Sequence, residues 1–339
     1  MRRVLGVRYT LSPKTAAWLI SMVALLTAAR WALPSELVLG RRLGRTTLTD
    51  SLRSYDAVAV DARGRAYVLD SRRGRIDVFD TLGAVLQSSG RPGTAEGEFT
   101  EARALAIDEA GSLFVLDPRA QRLSHYTTRD SLRLVRSAHV ELNASGMCAM
   151  EGALYLFALH ENNILHRLRF PSTHSRSFGV PFGPAESPLA QMSLSAGSVL
   201  CIPAERTVIV VPNVVPEIRA YNVDGELLWS RILTRYSATL VSVVGAGVSL
   251  RSPDAGYHQA RAAFAVSNEV FALQLELRRD RRVIARDTRL LSIRTGDELG
   301  NSTSLPQFLT ARSPLIYALD TGSVRRLEIY RYAIQSGPQ

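Results

Sequence analysis

One unit is written twice between residues 56 and 126. Asp61 recurs as Asp108, Asp70 as Asp117 and Arg75 as Arg122, each 47 residues on. A repeat of this period is a supersecondary unit that cannot bury its own apolar face and must stack on copies of itself. In each copy a short apolar strand (57–60, 105–107) ends in Asp61 or Asp108, and Gly64 or Gly111 follows three residues later. Asp at the first and Gly at the fourth turn position signals a type I turn. A second strand (66–69, 113–116) closes on Asp70 or Asp117. Arg75 or Arg122 then opens a third, in which Ile76 and Val78 alternate, and a turn at 80–83 leads into a fourth. Four short antiparallel strands separated by such turns predict a propeller blade.

The end of the second strand can be followed along the chain to Ala158, Pro212, Gln274 and Asp320, in steps of 47, 41, 54, 62 and 46 residues. Five residues further on stand Arg75, Arg122, Asn163, Glu217, Arg279 and Arg325. Six units therefore fit between about residue 55 and the end of the chain, the fifth stretched by RRDRRVIARDTR. The last unit holds three strands, and residues 36–48 are apolar enough to supply its fourth. Such pairing would close the ring and remove an open edge.

The chain has 339 residues and a formal charge of +10. Lys14 is the only lysine, so arginine supplies 40 of the 41 basic residues, a bias of base composition rather than of phosphate contact. Arg2, Arg3, Arg8, Lys14 and Arg30 lie in the first 34 residues with no acid among them, which leaves the rest near +5. No dense basic run with interleaved aromatics occurs, and this argues against nucleic acid as a partner. The basic start precedes an apolar run over 15–29, the pattern of a targeting segment. Residues 1–34 are read as a signal peptide or an N-terminal membrane anchor, 35–336 as one propeller and 337–339 as a tail. Either form of leader places the propeller outside the cytoplasm, in the periplasm or cell envelope.

Cys148 and Cys201 are the only cysteines. On the repeat, Cys148 falls at the position of Ile107 and Cys201 at that of Ala106. Consecutive strand positions point to opposite faces, so two buried thiols are expected in preference to a Cys148–Cys201 bridge.

Units one and two resemble NHL repeats, the blades of six-bladed β-propellers. The resemblance rests on Gly90, Gly93 and Gly97-Glu98-Phe99 in the loop, and on the AIDEAGSLFVLD and RIDVFD runs. It covers 55–126 and 313–331 by motif and the middle by periodicity. It implies an all-β fold of six four-stranded antiparallel blades, of the exported bacterial type; the readings of 36–48 and 15–29 add to it a ring closed by an N-terminal strand and an apolar targeting helix before it. Proteins of similar fold bind protein or RNA, and a few are enzymes: an amidated-peptide lyase with histidine-bound zinc, and lactonases with an acidic metal site near the channel. Fold alone does not choose among these.

Strand alternation puts the loops between second and third strands on one rim with the blade-to-blade connections. The loops are 71–74, 118–121, 160–162, 213–216 and 321–324, and the connections 90–103, 184–188 and 294–307. This rim gathers Arg72, Arg73, Arg91, Arg103 and Arg119, with Glu98 and Glu161 among them. Guanidinium forks match carboxylates and sulfates, so the arginines and Glu161 are the candidate ligand-binding residues, for a protein or a small anionic ligand. Asp61, Asp70, Arg75, Asp108, Asp117, Arg122, Asp320 and Arg325 recur with the repeat and are assigned to structure. No HExxH, GxSxG, Walker loop or dinucleotide fingerprint is present, and no catalytic residue, metal or cofactor is expected. The function expected is non-catalytic binding. The alternative is a metal-assisted hydrolase or lyase, lactonase-like or amidating-lyase-like, at the channel mouth.

Overall fold

The computed structural model describes residues 35–47, 57–172, 175–185, 187–244, 247–280, 282–303, 305–320 and 326–336. The leader at 1–34, the tail at 337–339 and Arg325 lie outside them.

The described chain begins with β1 (Ser35–Thr47). Blade 1 is β2 (Ala57–Val60), β3 (Ala66–Asp70), β4 (Arg75–Phe79) and β5 (Val85–Ser89). Blade 2 is β6 (Ala104–Ile107), β7 (Ser112–Asp117), β8 (Arg122–Thr127) and β9 (Arg133–His139). Blade 3 is β10 (Gly146–Met150), β11 (Ala153–His160), β12 (Asn163–Leu168) and β13 (Ser175–Phe178), and a helix, α1 (Pro188–Leu194), follows it. Blade 4 is β14 (Gly197–Ile202), β15 (Thr207–Pro212), β16 (Glu217–Asn222) and β17 (Leu227–Ile232). A separate hairpin, β18 (Leu240–Val244) and β19 (Gly247–Arg251), precedes blade 5. That blade is β20 (Tyr257–Ala265), β21 (Val270–Arg279), β22 (Arg282–Ser292) and β23 (Glu298–Thr303). In blade 6, β24 (Gln307–Arg312), β25 (Leu315–Asp320) and β26 (Arg326–Ser336) are completed by β1, in the order β1-β26-β25-β24.

Four second strands end where the repeat period puts them, at Asp70, Asp117, Pro212 and Asp320, whereas β11 and β21 run past Ala158 and Gln274 to His160 and Arg279. In blade 5, β21 runs on to Arg279, which is therefore the end of a second strand and not the start of a third. The arginine-rich insertion lengthens the β21–β22 hairpin. Residues 294–307, expected to be one connection, instead hold β23, and the turn at 293–297 falls on the opposite rim.

The middle strands of each blade are buried on both sides; all five residues of β3 are buried, for instance, whereas β5 is largely exposed. Each blade is sandwiched between two neighbours, so its apolar run need not alternate with polar residues. Six apolar clusters fill six blade-to-blade interfaces. The one between blades 6 and 1 joins Val68 and Phe79 to Tyr317 and Leu327.

Turn chemistry sets the strand spacing. Asp61 Oδ1 accepts from the backbone N–H of Arg63 and Arg65, both at 2.9 Å, and Gly64 takes φ +78°. Asp80 does the same for Leu82 and Ala84 at 2.8 Å. A carboxylate that mimics a backbone turn in this way is the role Asp plays best.

Cys148 and Cys201 form a disulfide, against the expectation of free thiols. The reason lies in the stacking. Two residues that point to opposite faces of their own blades point toward each other when those blades are neighbours. Cys148 on β10 and Cys201 on β14 face each other across the blade 3–blade 4 interface with Cα atoms 5.6 Å apart, within the usual range for a bridge.

Candidate functional site: the upper rim and channel mouth

The rim that carries the turns between second and third strands is called upper here. The repeat aspartates organise it. Asp117, 1% exposed, accepts from the backbone N–H of Thr100 (2.6 Å), Glu101 (3.1 Å) and Ala120 (3.1 Å). Arg122 donates to the carbonyls of Thr94 (3.0 Å), Ala95 (2.9 Å) and Glu98 (2.9 Å). Both residues thus hold the loop between blades 1 and 2 rather than each other. Asp70 caps the N–H of Arg73 at 3.1 Å, and Arg75 turns to Asp77 at 3.0 Å. On the lower rim, Asp108 accepts from the Ser112 N–H at 2.7 Å. Asp320 pairs with Arg45 (3.1 Å) and Arg326 (3.4 Å).

The arginines of the rim are in large part already met by acids. Arg91 Nε donates to Glu98 Oε1 at 2.6 Å. Arg103 binds Glu101 through Nε at 3.1 Å and through Nη2, and Arg119 stands 3.8 Å from the other Glu101 oxygen. Backbone donation from Ala95 and the Arg91 guanidinium hold the Glu98 carboxyl below its usual range, and Arg103 does the same for Glu101. Arg73 lies 3.9 Å from Asp70. Arg72 is exposed and forms no ion pair among the described residues. Glu161 stands on the tip of the β11–β12 hairpin at φ +44°, 3.9 Å from His160 rather than beside an arginine.

Inside the ring the innermost strands β2, β6, β10, β14, β20 and β24 line a channel of about 570 Å³. Its wall is mostly small: Ala104, Ala106, Gly146, Ala149 and Gly197, with the half-buried disulfide among them. Two arginines line its upper mouth, one from blade 2 and one from blade 5. Arg103 directly precedes β6. Arg261 sits where the β20–β21 register skips between Ala260 and Ala262, so this bulge leaves it outside the ladder and exposed to the channel. A bulge re-aims one side chain in this way. With the Gln307 amide oxygen turned toward it, Arg261 donates from Nε at 2.8 Å and Nη2 at 3.0 Å. Arg312, Asp108 and Glu109 line the lower end.

Sequence reading missed Arg261. Its signal is the run Ala260-Arg261-Ala262-Ala263, where small residues break the alternation of a strand. It also missed α1 and the β18–β19 hairpin, both of which sit in blade-to-blade connections of the upper rim. Ser187 caps α1 by accepting from the Ala190 N–H, and Pro188 opens its first turn.

No family model matches the chain, and no curated protein does. Solved structures do. A member of the DUF4221 family from Bacteroides vulgatus superposes with a TM-score of 0.62 at 9% identity, over 90% of this chain and 100% of that one. A protein designated as exported, from Bacteroides fragilis, gives 0.51 at 10% identity, over 90% and 96%. Virginiamycin B lyase from Staphylococcus aureus gives 0.51 at 10%, over 87% and 99%. The chain is a six-bladed β-propeller. At these identities the likeness is one of fold. Among the propeller's described residues no helix is long and apolar enough to cross a membrane, and no three His, Cys, Asp or Glu side chains gather as a metal set.

Proposed function

We propose that this propeller is an exported, non-catalytic binding module whose upper channel mouth takes a carboxylate-bearing ligand, either a small acid or an acidic protein loop. The observation that carries the reading is Arg261. A bulge in an innermost strand costs ladder hydrogen bonds, and here it aims a guanidinium into the channel whose opposite wall carries Arg103. The Gln307 contact fixes the orientation of that fork. Arg72 and Arg119 extend positive charge outward along the rim. A guanidinium held in place this way suits bidentate recognition of a carboxylate.

Export is supported by the basic, apolar leader in the sequence and by the exported designation of the Bacteroides fragilis neighbour. Pairing of Ser35 with Ser336 supports closure of the ring by the N-terminal strand. It also places residue 35 on the lower rim, so a tether there leaves the arginine rim facing away from the membrane.

Titration of the full chain with citrate and with a tetra-aspartate peptide tests the reading. Binding that falls at least tenfold in Arg261→Ala is the expected result. Absence of binding by both probes at low salt overturns it. The alternative, a hydrolase or lyase at the channel mouth, draws on the virginiamycin B lyase likeness alone, and the upper mouth presents arginines where that chemistry needs acid, base or metal ligands.

A further inference from the structure

A second cavity, of about 200 Å³, opens on the lower rim between blades 2 and 3, away from the channel mouth. Blade 2 supplies Phe114 and His125, whose rings stack at 5.0 Å and 16°. Phe170, in the turn between β12 and β13, stands edge-on to both, at 5.7 Å and 64° from Phe114 and at 5.5 Å and 67° from His125. The three rings make an apolar corner. Opposite it blade 3 offers only Ala149, Gly152, Ala153 and Leu154, and a Cβ built on Gly152 would meet nothing within 4 Å.

Polar groups at this corner are left over. Asp108 uses one carboxylate oxygen on the Ser112 N–H at 2.7 Å. The His125 ring nitrogens make no hydrogen bond among the described residues, and burial lowers the His125 pKa, so the ring is neutral near pH 7. Arg136 lies over the Phe170 ring at 5.1 Å, so the cationic partner of this aromatic group is already in place and a second cation is disfavoured. An apolar cavity of about 150 Å³ holds a benzene ring; this one has room for slightly more.

We infer that the cavity between blades 2 and 3 is a binding site for a small, neutral, planar heteroaromatic ring that carries an N–H donor. The ring packs against Phe114, His125 and Phe170, and its N–H donates to Asp108. Stacking supplies the affinity and the carboxylate supplies the discrimination, since a ring without the donor leaves the Asp108 oxygen desolvated and unmatched.

Indole and its isostere benzofuran, which lacks the N–H, are the probes. The full chain, labelled with carbon-13 in its histidine rings, is titrated with each and followed by NMR. The expected result is a saturable shift of the His125 resonance by indole and binding of benzofuran at least tenfold weaker. Asp108→Asn, which keeps an oxygen for the Ser112 turn, should bring indole down to the benzofuran level. Ser112→Trp, which fills the cavity from a partly exposed position, should abolish the shift. No shift at the solubility limit of indole, equal binding of the two probes, or an unchanged shift in Ser112→Trp overturns the inference.

Discussion

Cys148 on β10 is bonded to Cys201 on β14, and this is a covalent tie between the innermost strands of two neighbouring blades. It closes a loop over a sequence separation of 53 residues, for which chain entropy gives about 4 kcal/mol. The double variant Cys148→Ala/Cys201→Ala should therefore melt several degrees lower, and reductant should lower the wild type by a similar amount. Calorimetry with and without reductant checks both.

Asp117→Ala removes the acceptor for three backbone N–H groups of the upper rim. Stranding buried donors costs about 1–3 kcal/mol each, tempered by water reaching the loop, so a loss of about 3 kcal/mol is expected. A shift of the urea midpoint at unchanged slope measures it. Asp61→Ala acts on a turn of the lower rim and is an independent comparison.

Stability should fall as pH drops from 7 toward 5. His166 is buried, with Nε2 on the Ala158 carbonyl at 3.0 Å and Nδ1 on Ser177 Oγ at 2.8 Å. Burial lowers its pKa, and the same cause lowers those of His125 and His258. The unfolded chain takes up these protons near pH 6.5, where the folded chain still refuses them. The contribution is complete above that pH and is lost as pH falls toward the depressed folded values. Urea midpoints across this range should decline in the wild type and decline less in His166→Gln.

Glu101 holds two arginines at once. Glu101→Gln should release Arg103 and Arg119 and raise the affinity for citrate several-fold at low salt. The gain should fade as salt screens the exposed charges, over a Debye length of about 8 Å at physiological ionic strength. A lower affinity in this variant would mean that Glu101 orients the arginines rather than masks them.

Gly44 on β1 lies against the 80–83 turn of blade 1, where a Cβ would stand 2.4 Å from the Leu82 carbonyl carbon. Gly44→Ala should cost about 1–3 kcal/mol by overpacking and should lower the melting temperature.

The strands were legible because their alternation and the Asp and Gly of their turns are local signals. What depended on stacking was not. The Cys148–Cys201 bond needed the rule that neighbouring blades present opposite faces to each other, and a strand read alone lacks that rule. Arg261 needed a bulge, which appears only when two strands are set in register. The helix after Ser187 carries its capping signal, but its 7 residues make about two turns only, too short for a helical period to stand out in a blade-to-blade connection. Arginines were found on the rim by topology, while their pairing with Glu98 and Glu101 came from loop paths that no spacing encodes.

Ser35 stands opposite Ser336, and the two strands they bound run antiparallel from that point. A force applied between these two ends meets the rungs of the ladder in series, one pair at a time, as a zipper is opened. Under load β1 would peel away first, while the remaining five blades stay stacked.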